Sequence, residues 1–357
     1  MASSFPFTAS CFFLFALVIF SEGQSSVPAL YIFGDSLVDV GNNNYINDCI
    51  FKANYPHHGI DYPGRKPTGR FCNGKNSADL LAEKVGLTAS PPPYMSNTSD
   101  LFLEGASFAS GGSGLINSTG GFLRMCMSLK EEVEYFTALH DRLVQQFGTT
   151  RAQQHLSKSP FVVVIGSNDI FNYFYKAEIR VVKTPDQYIH EMIAILQGVL
   201  TELHNLGARK FVVAGVTILG CTPALRLEIN NQECNADVNT MVTKYNQNLV
   251  TMLARLQSDF NDINYTYIDT FAVVEGILQN PTIYGFKEAK SACCGSGKLN
   301  ADMYCTPFAI FCRNRTDHIF WDKVHPTEAT ASIVVDTLYS GSQPYVSPIN
   351  LQQLIAL

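Results

Sequence analysis

Leu30-Tyr31-Ile32-Phe33-Gly34-Asp35-Ser36-Leu37 is an apolar run of strand length that stops on a glycine and delivers a serine. Read as a strand followed by a tight turn, it sets the Ser36 hydroxyl just past the strand's carboxyl end. In open α/β sheets that edge is where ligands are handled. Towards the far end of the chain, Asp322-Lys323-Val324-His325 places a carboxylate three residues before a histidine. A serine becomes nucleophilic when a histidine takes its proton and a carboxylate orients the other ring nitrogen. Ser36, His325 and Asp322 are therefore the candidate nucleophile, base and orienter. Taken alone, Asp-x-x-His also fits a helix cap followed by a loop histidine.

Three more apolar runs repeat the strand pattern: Phe161-Val162-Val163-Val164-Ile165, residues 211–214 and residues 265–268. The first is an unbroken β-branched run of the kind buried on both faces of a parallel sheet. Between these runs the apolar period is helical. Val133, Phe136, His140, Leu143 and Phe147 mark one helix, ended by Gly148. Tyr188, Met192, Leu196, Val199, Leu203 and Leu206 mark a second, with Gly207 as its stop. Val238, Met241, Tyr245, Leu249, Met252 and Leu256 mark a third. Strands alternating with helices predict an α/β fold with a mostly parallel sheet covered on its faces. Asn168 and Asp169 follow the valine-rich strand through Gly166-Ser167, so they land on the same edge as Ser36. No repeat or low-complexity linker divides the chain, which predicts one domain over residues 24–357. Residues 45–76 and 90–100, dense in turn-forming residues, are predicted loops.

Residues 1–23 read as a secretory signal. Phe12 to Phe20 is an apolar core too short to span a bilayer, and Ser21-Glu22-Gly23 offers small residues at a cleavage site. Nothing further along approaches transmembrane length, so no stable membrane insertion is expected. Of the 357 residues, 46% are hydrophobic and 16% charged, which is ample for a large core. The net charge is −6, one unit less negative once Glu22 leaves, and no basic run suggests a nucleic-acid partner.

Ten cysteines are present, of which Cys11 lies in the signal. In a secreted chain the remainder read as disulfides. Cys293, Cys294, Cys305 and Cys312 predict two bridges among themselves, and Cys221 with Cys234 predicts a third. The odd remainder leaves at least one thiol free or shared between chains. A zinc site at Cys293 to Cys312 is excluded by spacing, with no Cys-x-x-Cys pair and no histidine at hand. Asn-x-Ser/Thr sequons at Asn97, Asn117, Asn264 and Asn314 are candidate glycosylation sites. Asn264 is the least suited, because it abuts a predicted strand.

Acyl transfer also needs donors for a tetrahedral oxyanion. The candidates are the Ser36 N–H, a glycine N–H from Ser110-Gly111-Gly112-Ser113-Gly114, and the Asn168 side-chain amide. The glycine run lacks the Gly-Lys-Ser/Thr ending of a P-loop and does not fit Gly-x-Gly-x-x-Gly. No Gly-x-Ser-x-Gly elbow occurs, which argues against an ordinary α/β-hydrolase. Asp35 is expected to hydrogen-bond the turn. Asp39 with Asn42 and Asn43 is expected to tie down the helix that follows. His57 and His58 are expected to be solvent-exposed in a polar loop.

Four ordered blocks together carry a resemblance. They are residues 33–43 (FGDSLVDVGNN), 105–114 (GASFASGGSG), 166–169 (GSND) and 320–328 (FWDKVHPTE). The chain resembles the plant-type GDSL esterase/lipase family of the SGNH hydrolase superfamily. Cys293-Cys294-Gly295, Cys305 and Cys312 match the plant subgroup, as does Asn76 after Arg70-Phe71-Cys72-Asn73-Gly74-Lys75. The resemblance implies a flavodoxin-like three-layer α/β/α sandwich. It also implies Ser36 as nucleophile, His325 as base and Asp322 as its orienter, with Gly111 and Asn168 as oxyanion donors beside the Ser36 N–H. Ser107 stands where the family's second block usually has Asn. Cys72 stands where Ser is common, and is expected to pair with Cys49 or Cys126.

The function expected is a secreted serine esterase of the cell wall or apoplast. It would act on a small-molecule or polymeric ester through an acyl-serine intermediate and need no cofactor. The same triad serves an acyltransferase using lipid or cell-wall hydroxyls. An inactive binding or defence protein on the same scaffold is the third reading. Fatty esters, acetylated wall polysaccharide and phenolic esters all remain open as substrates.

Overall fold

The computed structural model describes residues 27–357 except 97–98, 118 and 120–125. The predicted signal and the Asn97 sequon lie outside the described residues. The sheet is built from β1 (Leu30–Gly34), β2 (Gly105–Ser107), β3 (Pro160–Val164), β4 (Lys210–Ala214), β5 (Asn264–Ile268) and β10 (Val346–Pro348). Its spatial order is β2-β1-β3-β4-β5-β10. The first five strands are parallel, and β10 closes the far edge antiparallel to β5.

Alternation of side chains divides each strand between two cores. Tyr31, Phe33, Phe161, Val163, Phe211 and Val213 face α2 (Leu129–Phe147), α3 (Thr149–Lys158), α6 (Pro185–Asn205) and α8 (Ala236–Asp259). Leu30, Ile32, Val162, Val212 and Ile268 face α1 (Ser77–Lys84), α9 (Thr270–Gln279), α10 (Glu328–Ser340) and α11 (Leu351–Ala356). This is the α/β/α sandwich the sequence predicts. The helices α4 (Ser167–Tyr175) and α5 (Ala177–Val182) follow β3, and α7 (Pro223–Leu227) follows β4.

The three helices marked by apolar period form where expected, and their ends have local causes. Ser128 and Glu131 make a capping box at the start of α2, and Gly148 ends it. Thr184 and Gln187 do the same for α6, with Pro185 in its first turn. Short β2 and antiparallel β10 are not legible in the sequence, because Gly-Ala-Ser and Val-Ser-Pro carry little strand propensity. Their pairing comes from the neighbours they meet.

Two small ribbons join β6 (Glu288–Ala292) to β9 (His318–Phe320) and β7 (Cys294–Gly295) to β8 (Ile310–Phe311). The four-cysteine group forms its two expected bridges, with the pairing Cys293–Cys312 and Cys294–Cys305, and Cys221–Cys234 forms the third. Pairing Cys72 with Cys49 or Cys126 needs correction, since all three remain thiols. The Cys72 sulfur is buried beside the Lys75 and Pro326 carbonyls, and burial pushes its thiol pKa far up. Among the described residues no helix is long and apolar enough to cross a membrane.

Phe136 stands at the centre of the larger core. Its ring lies 5.4 Å from Tyr31, 5.7 Å from Phe33, 5.9 Å from Phe108 and 5.3 Å from Phe161. Strands β1 and β3 and the second sequence block thus converge on one side chain. Phe136→Ala is expected to lower the unfolding free energy by about 3–5 kcal/mol in urea titrations. A loss under about 1 kcal/mol would mean the site collapses around the truncated side chain.

Candidate active site

At the end of β1 the chain passes so close to β3 that only glycine fits. Gly34 has φ +140°, and a Cβ there would lie 2.0 Å from the Val164 carbonyl oxygen. The Asp35 N–H then donates to that same carbonyl at 3.1 Å. Asp35 Oδ1 accepts from the Leu37 N–H at 3.0 Å, which closes the turn as expected. Ser36 is lifted out at the strand's carboxyl end, half-buried.

The far end of the chain meets it there. Ser36 Oγ donates to His325 Nε2 at 2.8 Å. His325 Nδ1 lies 2.9 and 2.8 Å from the two Asp322 carboxylate oxygens. Because a carboxylate only accepts, the ring proton sits on Nδ1, and Nε2 accepts the Ser36 hydroxyl hydrogen bond. The bend that makes this possible is local. Asp322 Oδ1 also accepts the N–H groups of Val324 at 2.9 Å and His325 at 2.8 Å. Burial pushes the Asp322 carboxyl upward, but the charge and hydrogen bond of His325 outweigh it, aided by the Val324 N–H. The net direction is downward, so Asp322 is an anion. The Phe71 ring lies against His325, 5.1 Å between centroids.

Asn168 lies in the first turn of α4 directly behind β3, on the strand end next to Ser36. One of its amide protons goes to the Ser113 carbonyl at 2.9 Å. The Ser36 N–H has no acceptor among the described residues, and both residues line the cavity at the serine. Gly111 differs from expectation. Its N–H is given to Asp39 Oδ2 at 2.9 Å, and its carbonyl accepts from Asn43 Nδ2 at 2.8 Å. The peptide is tied on both sides and does not line the cavity. A side chain there would strike Phe71 at 2.4 Å.

Asp39 and the paired asparagines do more than hold their own helical turn. Asp39 Oδ1 accepts from the N–H groups of Gly41 and Asn42 at 2.7 and 2.8 Å. Asn42 Nδ2 donates to the carbonyls of Ser107 and Ala109 at 2.9 and 2.8 Å. The first sequence block therefore holds the second, with serine at position 107 contributing through its backbone. Asp169 holds the same loop from the third block, accepting from the Leu115 and Ile116 N–H groups at 2.9 and 3.0 Å.

Two participants escape the sequence reading. His58 is buried rather than exposed, because the fully buried Trp321 indole needs an acceptor and finds His58 Nδ1 at 3.1 Å. Burial lowers the His58 pKa to about 4, so the ring is neutral with its proton on Nε2. His57 is half-buried beside it. Glu132 is also buried, accepting from the Gly34 N–H and the Ser113 hydroxyl, both at 2.7 Å. One signal for it is present in the sequence. Glu132 falls three residues after Leu129 and four before Phe136, on the face of α2 that enters the core.

Besides Asp322, four carboxyls sit buried around the serine. Burial lifts Asp35 to about 7, Asp39 to about 6 and Asp169 to about 6, and raises Glu132 well above its ordinary value. In each case hydrogen bonds to the carboxylate oppose the shift without cancelling it.

Comparison with known proteins identifies the family. Residues 30–338 match the family model for GDSL-like Lipase/Acylhydrolase. A GDSL esterase/lipase of Arabidopsis thaliana is 46% identical over 343 residues, covering 93% of this chain and 91% of the relative. A second from the same plant is 36% identical over 369 residues, covering 97% and 98%. Among solved structures, the α/β hydrolase LAE5 from the metagenome of Lake Arreo, Spain, has a TM-score of 0.38 at 11% identity. That match covers 88% of this chain and 95% of the other. The chain belongs to the GDSL-like lipase/acylhydrolase family, and it is a carboxylic ester hydrolase.

Asp35 makes the pH dependence of stability testable. Its carboxyl titrates near 3.8 as a free group and about 7 when folded. A raised folded-state pKa gives stability that is full below the unfolded value and lost as pH rises through the folded one. Melting temperature is therefore expected to fall as pH rises from the unfolded value through the folded one, and the fall should shrink in Asp35→Asn. An equal fall in both proteins would remove Asp35 from the explanation.

Proposed function

We propose that this protein is a secreted serine esterase that cleaves its ester through an acyl-Ser36 intermediate. The observation that carries the reading is the continuous line of hydrogen bonds from Ser36 Oγ through His325 to Asp322. Ser36 Oγ attacks the ester carbonyl carbon while His325 Nε2 takes the hydroxyl proton. The new oxyanion is stabilised by the Ser36 N–H and the Asn168 amide, since both residues line the cavity. Gly111 acts by holding the loop, since its own N–H is engaged by Asp39. Collapse of the intermediate expels the alcohol, which receives its proton from His325. Water then attacks the acyl-serine by the same route, and Asp322 stabilises the imidazolium in both halves.

Secretion is supported by the leader-like residues 1–23 and by three disulfides in the body of the chain, which persist in oxidising compartments. We place the mature domain at residues 24–357 and its location in the cell wall or apoplast. Of the sequons, Asn117 and Asn314 are exposed and suited to glycosylation. Asn264 is half-buried as the first residue of β5, which makes it the poorer acceptor.

Ser36→Ala is expected to abolish ester hydrolysis and fluorophosphonate labelling while leaving the melting curve in place. Full turnover by that variant would sink the mechanism. Asn168→Ala is expected to lower kcat by about 10²–10³ with KM little changed, as loss of one oxyanion donor does. A change confined to KM would reassign Asn168 to ground-state binding.

A further inference from the structure

Behind the serine lies a cavity of about 130 Å³ that runs between the sheet and α10. Ser36, Asn168 and His325 line it together with Ala214, Ala331 and Val335. The central strands β3 and β4 show the opening directly. Val164 and Ala214 sit in the middle of the sheet yet are only half-buried, and the buried Val162 and Val212 two residues back line the same cavity. Small side chains make the room, with Ala214 lining it from the strand and Ala331 from the helix.

The interior suits hydrocarbon. Asp35 and His325 are the only titratable side chains among the described lining residues, one adjacent to Ser36 in the chain and the other bonded to it. Of the four lining threonines, all but Thr217 give their hydroxyls to backbone carbonyls rather than to the cavity. Thr222 donates to Leu219, Thr270 to Gly215 and Thr330 to Ile319. A sugar placed against the aliphatic walls of β3, β4 and α10 would leave most of its hydroxyls without partners, which is costly. An apolar cavity of about 150 Å³ accepts a benzene ring, a guest of about six carbons.

We infer that this cavity is an acyl-binding site that selects hydrocarbon acyl groups of about six carbons, with Ala331 and Val335 as the residues that set its depth. The inference rests on the acyl-Ser36 reading for the direction in which the chain enters. The acyl carbon sits at Ser36, the tail passes between Val164 and Ala331, and the alcohol stays outside. An acetyl group would leave the cavity unfilled, and a chain much longer than the cavity would clash with its end.

The experiment is a chain-length series of p-nitrophenyl esters from acetyl to dodecanoyl, run on the wild type, Val335→Phe and Ala331→Val. In the wild type, kcat/KM is expected to rise about fourfold per added methylene up to hexanoyl and then to stop rising. Val335→Phe fills the cavity and is expected to cut the hexanoyl-to-acetyl ratio at least about tenfold. Ala331→Val makes a smaller intrusion from the same helix, and carries the test should the phenylalanine variant fail to fold. In parallel, hexanamide and acetamide are titrated calorimetrically into Ser36→Ala, where binding needs no nucleophile. Hexanamide is expected to bind tighter, with a negative heat-capacity change. A flat ester profile together with equal binding of the two amides would overturn the acyl site while leaving the labelled serine intact. Tight hexanamide binding with no labelling of wild-type Ser36 would instead keep the cavity and overturn the acyl-serine reading.

Discussion

The contact between Gly34 and the Val164 carbonyl is the constraint on which the site depends. Strand order reverses between β1 and β3, and in doubly wound sheets that reversal opens a crevice at the carboxyl edge. Here the two strands stay close enough at their ends that a side chain on Gly34 would overlap β3. The absence of a Cβ lets Asp35 continue the β1–β3 pairing by one more hydrogen bond. Ser36 and Asn168 consequently emerge side by side from neighbouring strands, one offering the hydroxyl and the other an amide.

Around that pair the protein keeps polar groups where most cores keep carbon. Asp39, Asn42, Asn43, Glu132 and Asp169 are all buried, and each is tied to backbone of the glycine-rich segment or its flanks, or of β1. Burying carboxyls is unfavourable unless they are hydrogen-bonded. What they provide is a loop with many of its peptide groups already engaged, so the segment beside the serine has little freedom to rearrange. The cost appears as upward pKa shifts, and it couples stability to pH. A second support lies behind the base. The bridges at Cys293–Cys312 and Cys294–Cys305 pack with Trp321, which immediately precedes Asp322.

The parts of the site legible in the sequence are those whose function is written in contiguous residues. Ser36 follows its strand, Asn168 follows the valine-rich strand, and Asp322 reaches His325 across one bend. The apolar period likewise reveals α2, α6 and α8, because each buries a continuous stripe. His58 is misjudged from sequence because its chain neighbours read as a turn-rich loop, while in space Phe71 and Trp321 close over it. It packs with Trp321, which lies at the other end of the chain. Gly111 carries a free N–H only on the strength of its block. Its partner Asp39 belongs to a different block, and its orientation is a tertiary matter.

From the sequence alone came the strand–helix alternation, the candidate triad residues, the disulfide groups and the family they resemble. These follow from local propensity, periodicity and residue chemistry, which neighbouring residues are enough to express. Only the tertiary structure decided how the Gly111 peptide and the Asn168 amide are engaged near the serine, which buried carboxyls surround it, and that small residues on β4 and α10 line a cavity beside it. Those depend on contacts between residues far apart in the chain, where the outcome is set by packing and desolvation rather than by any single segment.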